Sequence, residues 1–224
     1  MTEARLQLSH MRLGDPPADI DDGVLYCDPL TSLVAYPSFE QYLVRVLPEF
    51  LAGGLHLAIG DVDGLREYVS ERRATDPHCF GHLAGNACMR LIGRQTARWA
   101  GAELDAVSSI CGTFGGDEVI IGASGLDHRD FTRKITTLAQ MIRGTAPRPC
   151  SFAVATFTAS SWTVDDVDET YRRIVSTVDA RLFHEKESAR SAGPLLDGAV
   201  IDLGVMIPAG AKAPAHTNLE RGSL

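Results

Sequence analysis

The sequence predicts an α/β (α+β) fold, a central mixed β-sheet flanked by helices. Three observations lead there. Short apolar runs suited to buried strands are interspersed with stretches of helical periodicity. Two extended runs, over 103–113 and 118–122, meet at Phe114-Gly115-Gly116-Asp117, a hairpin signature. No internal repeat divides the chain, so helices and strands share one layered core.

Residues 1–23 carry Pro16-Pro17 and Asp21-Asp22-Gly23 and are expected to be an irregular arm or one weak helix. Asp28-Pro29-Leu30-Thr31 reads as a turn. Ser38 is placed to cap a helix over 39–49, where Phe39, Tyr42, Leu43, Val46 and Leu47 recur at helical spacing. Gly53-Gly54 breaks the chain, and 55–60 is a short apolar run, a buried strand ending at Asp61. A helix follows over 65–73, stopped by Thr75-Asp76-Pro77. Leu83, Ala87, Leu91 and Ile92 predict a helix over 83–100, with Gly101 placed to cap its end. Beyond the hairpin, 127–143 reads as a helix with an acidic N-cap and a basic last turn. Residues 152–158 suit a strand, and Thr163 is the expected cap of a long helix ending near Glu187. Residues 199–203 fit a last edge strand, and from Pro208 the Ala, Pro and Gly content predicts disorder.

Composition narrows the class. The chain has 224 residues, 45% of them hydrophobic, enough for a substantial core. Its formal charge of −8 opposes general attraction to nucleic acid or an anionic membrane, so neither is an expected partner. No apolar run is long enough to span a bilayer, and the first residues carry no signal-peptide core. Cys27, Cys79, Cys88, Cys111 and Cys150 are scattered and odd in number, which reads as reduced thiols in a soluble cytoplasmic protein. The spacing of His78, Cys79, His82 and Cys88 matches no standard zinc pattern well.

The residues suited to chemistry are acids at strand ends. Asp61 and Asp63 stand where a buried strand yields to a turn and a helix, and Asp117 and Glu118 stand at the hairpin tip. If those strands are neighbours, Asp61 and the hairpin acids converge on a site for Mg²⁺, which takes carboxylates together with substrate phosphates. Gly64, Leu65 and Arg66 open the next helix, where amides at the positive dipole end suit phosphates. Spacing alone equally allows the acids to be helix caps and Gly115-Gly116 a plain turn.

Five blocks in order break that tie. Asp28-Pro29-Leu30-Thr31-Ser32-Leu33, Gly60-Asp61-Val62-Asp63-Gly64, Gly81-His82-Leu83-Ala84-Gly85-Asn86, Phe114-Gly115-Gly116-Asp117-Glu118-Val119, and Val178-Asp179-Ala180-Arg181-Leu182-Phe183 with Lys186 and Arg190 resemble the GGDEF family of diguanylate cyclases over residues 24–192. The resemblance implies a fold related to nucleotidyl cyclases and the polymerase palm. Residues 24–204 would be the nucleotide-binding domain, 1–23 an N-terminal arm and 205–224 a disordered tail. It implies condensation of two GTP into cyclic di-GMP with Mg²⁺ or Mn²⁺. The carried-over metal residues are Asp61, Val62 (through its carbonyl), Asp117 and Glu118; Asp117 and Glu118 are also catalytic, and Asp117 helps activate the attacking 3′-hydroxyl. Gly64, Leu65, Arg66, His82, Asn86, Lys186 and Arg190 would contact a purine nucleoside triphosphate. Two active-site halves must face each other, which implies a homodimer in an active cyclase; a catalytically quiet nucleotide-binding module would instead signal through a partner protein. An enzyme acting on one nucleoside triphosphate is the third alternative.

The sequence also departs from the family. Val69 stands where a guanine-reading Asn is expected, and Asn86 where a guanine-reading Asp is expected. Valine neither donates nor accepts a hydrogen bond, and an amide accepts only through one oxygen. Adenine or mixed purine use follows as an expectation. The stretch after Asp61 is longer than the family pattern, with an inserted loop expected over 70–79. Ala106 and Ser109 replace the Arg and Asp of the family's inhibitory site, while Thr113 and Val119 replace the Arg before and the Phe after the signature.

Overall fold

The structure, a computed structural model, describes residues 25–206 apart from 77, 79, 80, 115, 161, 163–165, 194 and 195. Six strands form one mixed sheet in the order β1 (Val34–Ala35), β3 (Ser109–Phe114), β4 (Glu118–Ser124), β2 (Leu55–Val62), β5 (Cys150–Phe157), β6 (Val200–Val205). Strand β2 (Leu55–Val62) runs antiparallel to both β4 (Glu118–Ser124) and β5 (Cys150–Phe157). Strand β3 (Ser109–Phe114) completes the expected hairpin with β4, but it starts later than the expected run from 103, because Glu103 still belongs to the preceding helix. The short β1 (Val34–Ala35) adds parallel to β3, and β6 (Val200–Val205) adds parallel to β5 as the expected edge strand.

Alternation along β2 explains its apolar run. Leu55, Leu57 and Ile59 point to one face, where Phe39, Leu43 and Leu47 of α1 (Tyr36–Ala52) meet Tyr171, Ile174 and Val178 of α5 (Val167–Ala192). Ala58 and Val62 point to the other, packing with Met89, Ile92 and Trp99 of α3 (Gly81–Glu103) and with Phe131, Ile135 and Leu138 of α4 (His128–Thr145). A strand covered on both faces carries apolar residues at nearly every position. Gly60 is required in that run: a Cβ there would stand 2.3 Å from Cε1 of Phe152.

Several boundaries differ from expectation. Helix α1 begins at Tyr36, with Pro37 in its first turn and Ala35 as an N-cap without a side-chain bond. Ser38 lies inside the helix, and its Oγ accepts from the Tyr26 amide at 3.2 Å. Helix α3 passes through Gly101 to Glu103, because the Trp99 indole donates to the Lys134 carbonyl at 3.1 Å and Lys134 pairs with Glu103 at 2.8 Å. Those contacts from α4 outweigh the local helix-ending tendency of glycine. The N-cap of α4 is Asp127, as expected. Asp166 caps α5, accepting from the Glu169 amide at 3.0 Å, and α5 continues to Ala192. Thr163 lies outside the described residues, as do the expectations for 1–23 and for the tail from Pro208.

The expected loop after Val69 begins instead as helix. Helix α2 (Leu65–Thr75) continues through residues 70–75, and Arg148 holds it by an ion pair to Glu71 at 2.9 Å and by stacking 5.7 Å from the Tyr68 ring centroid. Cys27, Cys88, Cys111 and Cys150 are free thiols. Among the described residues no helix is long and apolar enough to cross a membrane.

Candidate active site

The register of β2 against β4 sets Asp61 directly opposite Glu118. The Val62 amide donates to the Asp117 carbonyl at 3.2 Å, fixing the hairpin tip to the end of β2. Phe114 pairs with Glu118 at the end of the hairpin, and Gly116 between them has a φ of 119° that favours glycine. Asp61, Val62, Asp117 and Glu118 therefore share one wall of a cavity of about 270 Å³, whose remaining lining includes Gly64, Leu65, Arg66, Lys186 and Arg190.

Gly64 is the N-cap of α2, with a φ of 65° and no side-chain capping bond. Neither Asp61 nor Asp63 caps that helix. Its first amides, at the positive dipole end, lie at the cavity without a side-chain acceptor, which is the arrangement that receives phosphate.

The two strand-end acids have different roles. Asp63 is buried: its Oδ2 accepts from Ser151 Oγ at 2.6 Å and from the Gly198 amide at 3.0 Å, while its Oδ1 pairs with Lys186 at 3.0 Å. It is an anchor joining β2, β5, α5 and the entry to β6. Asp61 is partly open to the cavity and is bonded by the Lys186 ammonium at both its carboxylate and its carbonyl, the latter at 2.8 Å. Arg190, one turn on, pairs with Glu187 at 2.7 Å at the cavity rim.

Carboxylates crowd this wall, although among the described residues no three His, Cys, Asp or Glu side chains gather into a metal-holding cluster. Glu118 is pushed up to about 7, first by desolvation and then by Asp61, Asp117 and Asp179, with Lys186 opposing. Such crowding of carboxylates is relieved by a divalent cation. The donors are hard oxygens, which suits Mg²⁺ or Mn²⁺ rather than a thiolate-preferring metal.

A second cavity of about 470 Å³ adjoins the first, sharing Leu65, Arg66 and Asp117. His82 and Asn86 line it with Val69, Ser70 and Met89. Gly85 of α3 faces Val69 of α2 across this cavity. Every site residue selected from the sequence thus borders one of two adjoining cavities. Sequence reasoning missed Asp179, which lines the smaller one and is itself raised by desolvation and by Asp61. Its position two turns before Lys186 on the same helix was the available signal.

No family model and no curated protein matches the sequence. Solved structures do match. The diguanylate cyclase SiaD of Pseudomonas aeruginosa, in complex with its activator SiaC, is similar with a TM-score of 0.58 and 19% identity over 79% of this chain and 61% of that one. The present chain therefore spans less than two thirds of that protein's chain. The GGDEF domain of DgcB from Caulobacter crescentus, in complex with c-di-GMP, has a TM-score of 0.58 at 16% identity, covering 84% of this chain and 97% of its own. A microbial GGDEF domain studied for its interaction with cyclic di-GMP has a TM-score of 0.56 at 24% identity, over 79% and 95% of the two chains. The chain has the GGDEF fold, a mixed sheet flanked by helices, in a divergent sequence.

Proposed function

We propose that the chain is a divalent-metal-dependent nucleotidyl cyclase condensing purine nucleoside triphosphates into a cyclic dinucleotide of the cyclic di-GMP type. The observation that carries this reading is the register that sets Asp61 opposite Glu118, beside the Asp117 backbone and the uncapped start of α2. Asp61, the Val62 carbonyl, Asp117 and Glu118 hold Mg²⁺ or Mn²⁺, which when bound polarises the phosphoryl oxygens. The amides of Leu65 and Arg66 hold the β- and γ-phosphates, with Arg190 and a mobilised Lys186 at the rim. The base lies in the larger cavity near Asn86 and His82. Asp117 assists removal of the 3′-hydroxyl proton as that oxygen attacks the α-phosphate of a facing nucleotide; pyrophosphate leaves. Two copies facing each other complete the reaction, and the protein works in the cytoplasm.

Mass spectrometry of products tests this. Purified protein with Mg²⁺ or Mn²⁺ and GTP, ATP or an equimolar mixture yields a cyclic dinucleotide, and Asp117→Ala lowers the rate at least 100-fold while leaving the fold intact. Wild-type rates in that variant sink the assignment. A second reading, a catalytically quiet nucleotide-binding module acting through a protein partner, is favoured by Val69 and Asn86 in the base cavity. It predicts triphosphate binding by calorimetry with no product.

A further inference from the structure

We propose that Lys186 is an internal cation that competes with a divalent metal for Asp61, so that metal binds weakly until the ammonium is displaced and tightly once a bound triphosphate receives it. This rests on the reading of Asp61 as a metal ligand. The ammonium has three donors and no acceptor, and three oxygens take them: the Asp61 carbonyl at 2.8 Å, Asp61 Oδ1, and Asp63 Oδ1 at 3.0 Å. No donor remains for a phosphate. Lys186 is only 7% exposed, yet it borders the cavity where the α2 amides begin. A divalent cation taking Asp61 meets a full positive charge already bonded there, and the two compete for one carboxylate.

Release of the ammonium is permitted by Asp63. Its Oδ2 keeps the Ser151 hydroxyl and the Gly198 amide whether or not Lys186 stays, so it is never left without donors. Asp61 has no such buried donors and is partly open to the cavity, so a metal can take the place of the ammonium there. A triphosphate held at the start of α2 offers the ammonium new oxygens and frees Asp61 for the cation. Metal and triphosphate then bind cooperatively, each strengthening the other by the same factor. The protein alone holds metal weakly.

Two measurements test the idea on the full chain without nucleotide. In the first, Mn²⁺ binding is followed by the electron paramagnetic resonance of the free ion for wild type, Lys186→Met, and Lys186→Met combined with Asp63→Asn, which removes the buried charge pair together. Both variants bind Mn²⁺ at least tenfold more tightly than wild type. The second uses the wild-type protein, whose lysines are Lys134, Lys186 and Lys212 alone. Acylation by acetic anhydride, read by mass spectrometry with Lys134 as the internal reference, speeds up several-fold at Lys186 on saturation with Mn²⁺. That response separates displacement from simple removal of a nearby charge. Unchanged Lys186 reactivity with Mn²⁺ bound overturns the inference, as does equal or weaker Mn²⁺ affinity in a variant shown to be folded by circular dichroism. Failure of the wild type and of the folded variants alike to bind Mn²⁺ at millimolar concentration overturns the metal site of the proposed function, and this inference with it.

Discussion

Asp61 and Asp63 stand two residues apart on the same face of the chain's central strand and its exit, yet burial separates their work. Asp63 is enclosed with Lys186 and donors from Ser151 and Gly198. Asp63→Ala leaves a buried ammonium with one carboxylate fewer, and the expected loss is about 3–5 kcal/mol in urea unfolding. Glu118 carries a pH prediction. Its folded value of about 7 lies above the ordinary value of 4.5, so the native state binds the proton more tightly than the unfolded chain. Without metal, stability contributed by this group is present below about 4.5 and is lost as the pH rises toward 7. Thermal melts of the metal-free protein between pH 4.5 and 8 therefore show a falling midpoint that Glu118→Gln flattens. Added Mg²⁺ restores more stability at the upper end of that range than at the lower.

At the level of elements, the site depends on how β2 hands over to α2. Gly64 makes that turn at a φ of 65°, and an alanine there would take a left-handed conformation costing about 1–2 kcal/mol. Gly64→Ala is expected to lower the unfolding free energy by that amount and to weaken triphosphate binding in calorimetry, because the first amides of α2 are re-aimed. A variant with unchanged stability and binding contradicts the assigned turn. The elements themselves were largely legible. The apolar run in 55–60 reflects a strand covered on both faces, and the acidic start and basic end of 127–143 mark a helix, which is local information. The ends were less so. Gly101 reads as a stop in isolation, but Trp99 and Glu103 reach α4 and carry the helix on. Residues 70–75 are helical with support from Arg148, 77 positions from Glu71 along the chain, a contact that local pattern does not contain.

For the molecule as a whole, the acidic wall and the start of α2 line one cavity of each chain, and the cavity bordered by His82 and Asn86 adjoins it. Joining two triphosphates through reciprocal attacks requires two such assemblies. Product formed per protomer is therefore expected to rise with protein concentration, roughly in proportion at high dilution where association is limiting. Turnover per protomer that stays constant across a 100-fold dilution argues for a single-chain reaction instead. Sequence by itself determined the layered α/β architecture, the hairpin, and the choice of Asp61, Asp117, Glu118, His82, Asn86 and Arg190 as site residues, since each follows from local pattern or a motif resemblance. Tertiary structure alone decided that Asp63 is an anchor, that Asp179 joins the acidic wall, and that Lys186, 125 residues from Asp61, holds it directly. Which oxygen a buried ammonium finds is set by strand register and helix packing across the whole chain, and no short stretch of sequence encodes that.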